Sequence, residues 1–182
     1  MEEQLGAGHL LARRALSEAR SLPPEAISFE SPLRTSRGRV ARGSDLLDRA
    51  TLRRLCSWPV HPPELVIVLV DADEDKSRKR TLDAHLEGIA GARVIAVAVQ
   101  EFEAWLLADQ RALNTLLGSA VGKPSAVEEM ARREAKELLA ALLSKHPDAS
   151  GARRTLALTC DLSVVARECT AFDAFLRELR GP

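Results

Sequence analysis

Six consecutive apolar residues, Leu65-Val66-Ile67-Val68-Leu69-Val70, run directly into Asp71-Ala72-Asp73-Glu74-Asp75. A short β-branched run bounded by Pro62-Pro63 on one side and by carboxylates on the other predicts a buried strand of a parallel sheet. In open α/β sheets ligands bind just beyond the carboxyl ends of such strands. Asp71 and Asp73 lie on the same side of an extended segment, so both can face one cation. Lys76-Ser77-Arg78-Lys79-Arg80 follows at once and supplies positive charge for phosphate groups.

A second run, Val94-Ile95-Ala96-Val97-Ala98-Val99, follows Gly91 and ends in Gln100-Glu101. It repeats the arrangement of a buried strand leading into acid. If the two strands are neighbours, Glu101 emerges on the sheet edge that carries Asp71, and Glu103 opens the next helix. Residues 80–87 between the runs read as a helix. The alternation of strand, helix and strand predicts an α/β fold with a small parallel sheet and a helical C-terminal part. The expected division is an α/β core over 1–116 and a helical extension over 117–182 packed on it, forming one domain overall.

The remaining elements follow from spacing and punctuation. Ala7, Leu11, Ala12, Ala15, Leu16 and Ala19 predict a helix over 7–20, stopped by Pro23-Pro24, with a short strand over 26–30. Residues 34–43 read as a basic loop, and Ser44 as the cap of a helix over 45–56. Residues 102–115 read as a mostly buried helix and 118–125 as a loop. A helix over 128–145 has Ala135, Leu138, Leu139, Leu142 and Leu143 inward, with Glu129 and Arg133 as an i,i+4 pair. Two short helices complete the chain, the last with Thr170 and Asp173 as a capping box.

Composition removes several classes of function. Lysine plus arginine equals aspartate plus glutamate at 26 each, so a nucleic-acid role needs a local basic patch rather than global charge. Three widely spaced cysteines fit reduced thiols in a cytoplasmic protein rather than a zinc knuckle. No run approaches the about 18–20 apolar residues of a membrane span. These 182 residues contain no tyrosine, which excludes a tyrosyl nucleophile. Gly118-Ser119-Ala120-Val121-Gly122-Lys123-Pro124 is not a P-loop, since a residue is missing between the glycines and Pro124 stands where Ser or Thr belongs. The four histidines are scattered, without metal-ligand spacing.

The chemistry these residues suit is that of a hard divalent cation, because magnesium takes one or two carboxylates and keeps its remaining positions for water and phosphate. Asp71 and Asp73 are the primary candidate ligands, with Glu101 and Glu103 as a second acidic pair. Acidic residues in a first helical turn also favour the helix dipole, which is the structural alternative for the glutamates. Lys76, Arg78 and Lys79, with Arg37 and Arg39 of the basic loop, are candidate contacts to a phosphate backbone.

Val66-Ile67-Val68-Leu69-Val70-Asp71-Ala72-Asp73 and Ala96-Val97-Ala98-Val99-Gln100-Glu101-Phe102-Glu103-Ala104-Trp105-Leu106-Leu107-Ala108-Asp109 together resemble a largely uncharacterised bacterial Toprim-like family. Glu128-Glu129-Met130 with Lys136 is similar more loosely, and the resemblance spans residues 1–145. It implies a Toprim-like sheet in which an acid after the first strand and a later pair of aspartates bind Mg2+ or Mn2+. Glu2 falls at that first acid, as ligand or general base, with Glu3 beside it. The strand of the pattern does not precede Glu2 here, which implies a start upstream of Met1 or a lost strand.

Relatives of that family resemble the Toprim half of overcoming-lysogenization-defect nucleases and often lie beside ATPase genes. The resemblance therefore implies a metal-dependent nuclease-like phosphodiesterase, an effector of bacterial defence with nucleic acid and an ATPase as partners. Its catalytic residues would be Glu2, Asp71 and Asp73. The alternatives are a non-catalytic Toprim-like module that binds nucleic acid or a partner ATPase, and a phosphoryl-transfer enzyme with Asp71 as nucleophile.

Overall fold

The computed structural model describes residues 6–28, 43–57, 61–122, 124, 126–144 and 146–181. Its centre is a parallel pair, β1 (Leu65–Asp71) and β2 (Ala92–Ala98), joined by the crossover helix α4 (Arg78–Leu86). The register runs from Leu65 opposite Ala92 to Asp71 opposite Ala98. The first strand is one residue longer than the apolar run, and the second begins two residues before its own, at Ala92. Gly91 enters β2 at φ 90°, and a Cβ there would stand 2.2 Å from the Pro63 carbonyl oxygen. Only glycine allows that approach.

Alternation along the strands feeds two cores. Leu65, Ile67 and Leu69 join Val94, Ala96 and Ala98 in the larger one. Val66, Val68, Val70, Ile95 and Val97 face the other way, into a smaller cluster with Leu52, Leu82 and Leu86. Both faces are covered, as a parallel ribbon requires. The smaller cluster is closed by α2 (Gly43–Leu46), α3 (Arg49–Cys56) and α4. The single helix expected over 45–56 is split, because Asp48 leaves helical geometry and its carboxylate accepts from the Thr51 amide at 2.7 Å. An aspartate that can cap competes with continuation of the helix.

The larger core is helical. The first helix, α1 (Ala7–Arg20), buries Leu10, Leu11, Ala12, Ala15 and Leu16. No strand follows it over 26–28; Pro24–Ala26 form a 3-10 turn, since Pro24 presets the turn's φ. Residues 29 and 30 of that expected strand lie outside the described residues. The buried helix expected over 102–115 is two helices, α5 (Glu103–Leu107) and α6 (Gln110–Leu117). The break is at Asp109, whose buried carboxylate caps Ala112 and also accepts from the Asp161 amide at 2.7 Å. At the heart of this core Trp105 lies edge-on to Phe172, with ring centroids 5.0 Å apart, and stacks on Phe175.

The helix expected over 128–145 is shorter, as α7 (Glu134–Leu143), with Val127–Glu129 in a separate 3-10 turn. Arg133 stands at φ 70° between them, so Glu129 and Arg133 do not share a helix and their i,i+4 pair does not form. The chain closes with three helices rather than two: α8 (Ala149–Thr159), α9 (Leu162–Glu168) and α10 (Thr170–Arg180). The capping box of the last is also corrected. Thr170 is already helical, and the carboxylate of Glu128, 42 residues earlier, accepts from the Thr170 amide and hydroxyl and from the Ala171 amide at 2.7–2.9 Å. Asp173 pairs instead with Arg177.

Arginines of α1 tie the C-terminal helices down. Arg14 donates to the carbonyls of Ala157 and Cys160, and Arg20 to that of Leu179, satisfying C-terminal groups of α8 and α10. Among the described residues no helix is long and apolar enough to cross a membrane.

Glu128 caps a helix from a distant segment, so Glu128→Ala should lower stability by about 1–2 kcal/mol, the cost of losing a cap. Glu129→Ala next to it, on an exposed residue, should stay within about 0.5 kcal/mol. Urea unfolding followed by circular dichroism measures both; equal values would show that the three contacts contribute nothing.

Candidate functional site

The parallel register sets Asp71 at the carboxyl end of β1, level with Ala98, and the ladder continues one step further through Ala72 N donating to Ala98 O at 2.8 Å. From there the two chains turn over the same edge. The Phe102 amide, between the two glutamates, donates to Asp71 Oδ1 at 2.8 Å. Glu101 and Glu103 are thereby held beside Asp71, and both are buried, at 6% and 7% exposure.

Asp71 registers this company. Burial pushes its carboxyl up to about 6; the Phe102 amide opposes the shift, and the charges of Glu103, Asp73 and Glu101 add to it. No arginine or lysine is bonded to the Asp71 carboxylate among the described residues; Arg78 reaches only its main-chain oxygen.

The other acids have partners. Glu101 Oε2 accepts from the Lys136 amide in the first turn of α7 at 2.9 Å, and Glu103 Oε1 lies 3.5 Å from Arg153 Nη1 of α8. Asp73 is met from both sides, by Arg78 Nη1 at 3.0 Å and by Arg132 Nε at 3.3 Å. Asp75 accepts from the Ser77 hydroxyl and amide, which hold its carboxyl below the usual range. Asp73 and Glu74 are consecutive left-handed residues, at φ 47° and 68°. Non-glycine residues in that region are strained, and such strain gathers at ligand clamps and active sites.

The expected site residues therefore divide. Asp71, Asp73, Glu101 and Glu103 come together at one edge. Arg78 is the first residue of α4 and is spent inside the acidic turn, on Asp71 O, Asp73 and, at 3.7 Å, Asp75. Lys79 pairs with Glu178 of α10, while Lys76 is exposed. Glu2, Arg37 and Arg39 lie outside the described residues. Sequence reasoning missed Arg132, Arg153 and the Lys136 amide. No periodicity links them to the acids, and only the packing of α7 and α8 beside α5 brings them there.

The donor set is all oxygen, which suits Mg2+ or Mn2+. In the residue preceding Glu101, the side-chain oxygen of Gln100 is buried without a hydrogen-bond partner. A cation drawing on these oxygens would relieve the charge that the Asp71 neighbours impose on one another. As folded here, no group of three or more His, Cys, Asp or Glu side chains among the described residues is arranged to hold a metal ion. The acids instead hold amides and guanidinium groups, so binding would require exchange of those partners.

Residues 11–180 match the model of a family described as a domain of unknown function (DUF4276), and the chain belongs to that family. Neither a curated protein nor a solved structure matches it.

The raised carboxyl of Asp71 has a consequence for stability. An unfolded aspartate releases its proton near 3.8, whereas the folded one keeps it to about 6. The folded state binds more protons between these values, so stability falls as pH rises from about 4 to about 6. Asp71→Asn keeps an oxygen for the Phe102 amide and removes the charge. It should raise stability at pH 7.5 by about 1 kcal/mol, a figure reduced because solvent screens this half-buried group. At pH 4 the two proteins should coincide. Urea midpoints at the two pH values test this, and a variant less stable at pH 7.5 would contradict it.

Proposed function

We propose that the chain is a metal-dependent phosphodiesterase of Toprim type, acting on nucleic acid. The observation that carries the reading is the gathering of Asp71, Asp73, Glu101 and Glu103 at the carboxyl edge of the parallel pair, with the Asp71 carboxylate bonded to no arginine or lysine among the described residues. Buried acids whose charges oppose one another are costly to a fold, and such groups cluster where they serve a function. The resemblance of the two strand-to-acid segments to Toprim proteins supports the same assignment.

In this reading Asp71, Asp73, Glu101 and Glu103, with Glu2, hold Mg2+ or Mn2+. The metal supplies Lewis-acid stabilisation of a phosphoryl oxygen and lowers the pKa of a water. The Phe102 amide orients the Asp71 carboxylate, and Arg78 holds the acidic turn in its strained form. Lys76, exposed beside that turn, is available to a phosphate of the backbone. Nucleic acid and a partner ATPase are the partners of this reading, and bacterial defence in the cytoplasm is its setting.

A non-catalytic binding module is the second reading. It is favoured by the partners that Asp73, Glu101 and Glu103 already have, since a site complete in itself needs no metal.

Titration with Mn2+ by calorimetry, paired with a plasmid and RNA cleavage assay, separates the two. The first reading expects metal uptake by the wild type and a loss of cleavage of at least about a hundredfold in Asp71→Asn/Asp73→Asn. Cleavage that survives in the double variant would sink the catalytic assignment. Absence of metal uptake would leave the binding module.

A further inference from the structure

Both faces of the parallel pair are covered, but its β1 edge is open. Ala72 N donates to Ala98 O and Ala92 N to Glu64 O, so the even-numbered residues of β1 turn both main-chain groups toward β2. Leu65, Ile67, Leu69 and Asp71 turn theirs outward, because the direction alternates along a parallel ladder. Arg78 takes the Asp71 carbonyl. No main-chain group of another described segment pairs with Leu65, Ile67 or Leu69. The side chains report the same opening. Ile67 and Leu69 are half-buried, whereas Val94 and Ala96, opposite them on β2, are 4% and 2% exposed. Between 65 and 70 the strand also carries none of the proline, lysine or inward charge that usually protects a sheet edge.

We propose that this edge is an interface between two copies of the chain, in which β1 pairs antiparallel with β1 of the second copy and the two pairs become one four-stranded sheet. An unpaired row of amides and carbonyls is complemented by another such row, and β1 offers one to itself. A two-fold axis normal to the sheet makes the contact self-complementary. With the axis at Ile67, that residue meets its own equivalent and Leu65 pairs with Leu69 of the second copy. The ladder then stops at Asp71 against Pro63, where the Asp71 carbonyl is already taken and proline has no N–H to give. Leu65, Ile67 and Leu69 face the larger core, and the two-fold axis keeps their equivalents on the same face, so the half-buried side chains cover one another. Charge fits this orientation. None lies within 65–70, and antiparallel pairing sends the two Asp71 carboxylates to opposite ends, about 27 Å apart at about 3.4 Å per residue. A parallel neighbour would set acid beside acid, which is destabilising.

Sedimentation equilibrium of the full chain should give the mass of one copy, 19.8 kDa, when dilute and of two when concentrated. Residue-resolved hydrogen exchange on the same solutions is the specific test. The Leu65, Ile67 and Leu69 amides should exchange at least about a hundredfold more slowly in the dimer than in the dilute monomer. The Val66, Val68 and Val70 amides, which point to β2, should be protected in both. Leu65→Pro removes one outward donor from each copy at the first residue of the strand, where proline is tolerated. It should keep the circular dichroism of the wild type and weaken the dimer by at least about tenfold. Arg177→Gln on α10 should leave association unchanged.

A chain that stays a monomer at every concentration overturns the proposal. So does a dimer in which the three outward amides exchange freely, because its interface then lies elsewhere. Protection of those amides that persists in the dilute monomer overturns it as well, since the edge is then covered within one chain.

Discussion

The parallel ladder between β1 and β2 is the constraint on which everything at the acidic edge depends. Its register ends with Asp71 opposite Ala98, so the two chains leave the sheet side by side. One more hydrogen bond, from the Phe102 amide to Asp71 Oδ1, then joins the two exits. A slip of one residue would turn every side chain of β1 to the opposite core and carry Asp71 away from Phe102. The packing of the two clusters against alternate faces resists that slip, because Val68 and Val70 belong to one core and Leu69 to the other.

Around this edge the protein spends its charged groups unevenly. Arg14, Arg20 and Arg53 donate to main-chain carbonyls at helix ends, and Glu128 and Asp109 accept from amides at helix starts. These groups hold helices from distant parts of the chain against one another. The acids at the sheet edge are different. They lie together with more negative than positive charge in contact, in a backbone that is strained at Asp73 and Glu74.

Much of the architecture was legible in the chain. The β-branched runs at 65–70 and 94–99 announce buried strands, and the parallel pairing follows from the helix between them. Breaks inside helices were not legible. Asp48 and Asp109 look like ordinary polar positions of a continuous helix until their carboxylates are seen capping the next one. Asp109 also needs the Asp161 amide, 52 residues away, which no local pattern reveals. The capping box at Thr170 and Asp173 failed for the same reason: Glu128 reaches the amides first from another segment.

The order of residues alone determined the strand pair, the acids at its end and the apolar faces of the helices, because these depend on spacing along the chain. Tertiary structure decided which charges meet. It set Glu101 on the Lys136 amide, Glu103 by Arg153 and Asp73 between Arg78 and Arg132, and gave the Asp71 carboxylate no cationic partner among the described residues. Except for Arg78, which follows Asp73 by five residues, these partners come from distant segments, as Lys136 and Glu101 are 35 residues apart, and burial there raises an aspartate to about 6. Periodicity is a property of neighbours along the chain, whereas electrostatic environment is a property of neighbours in space.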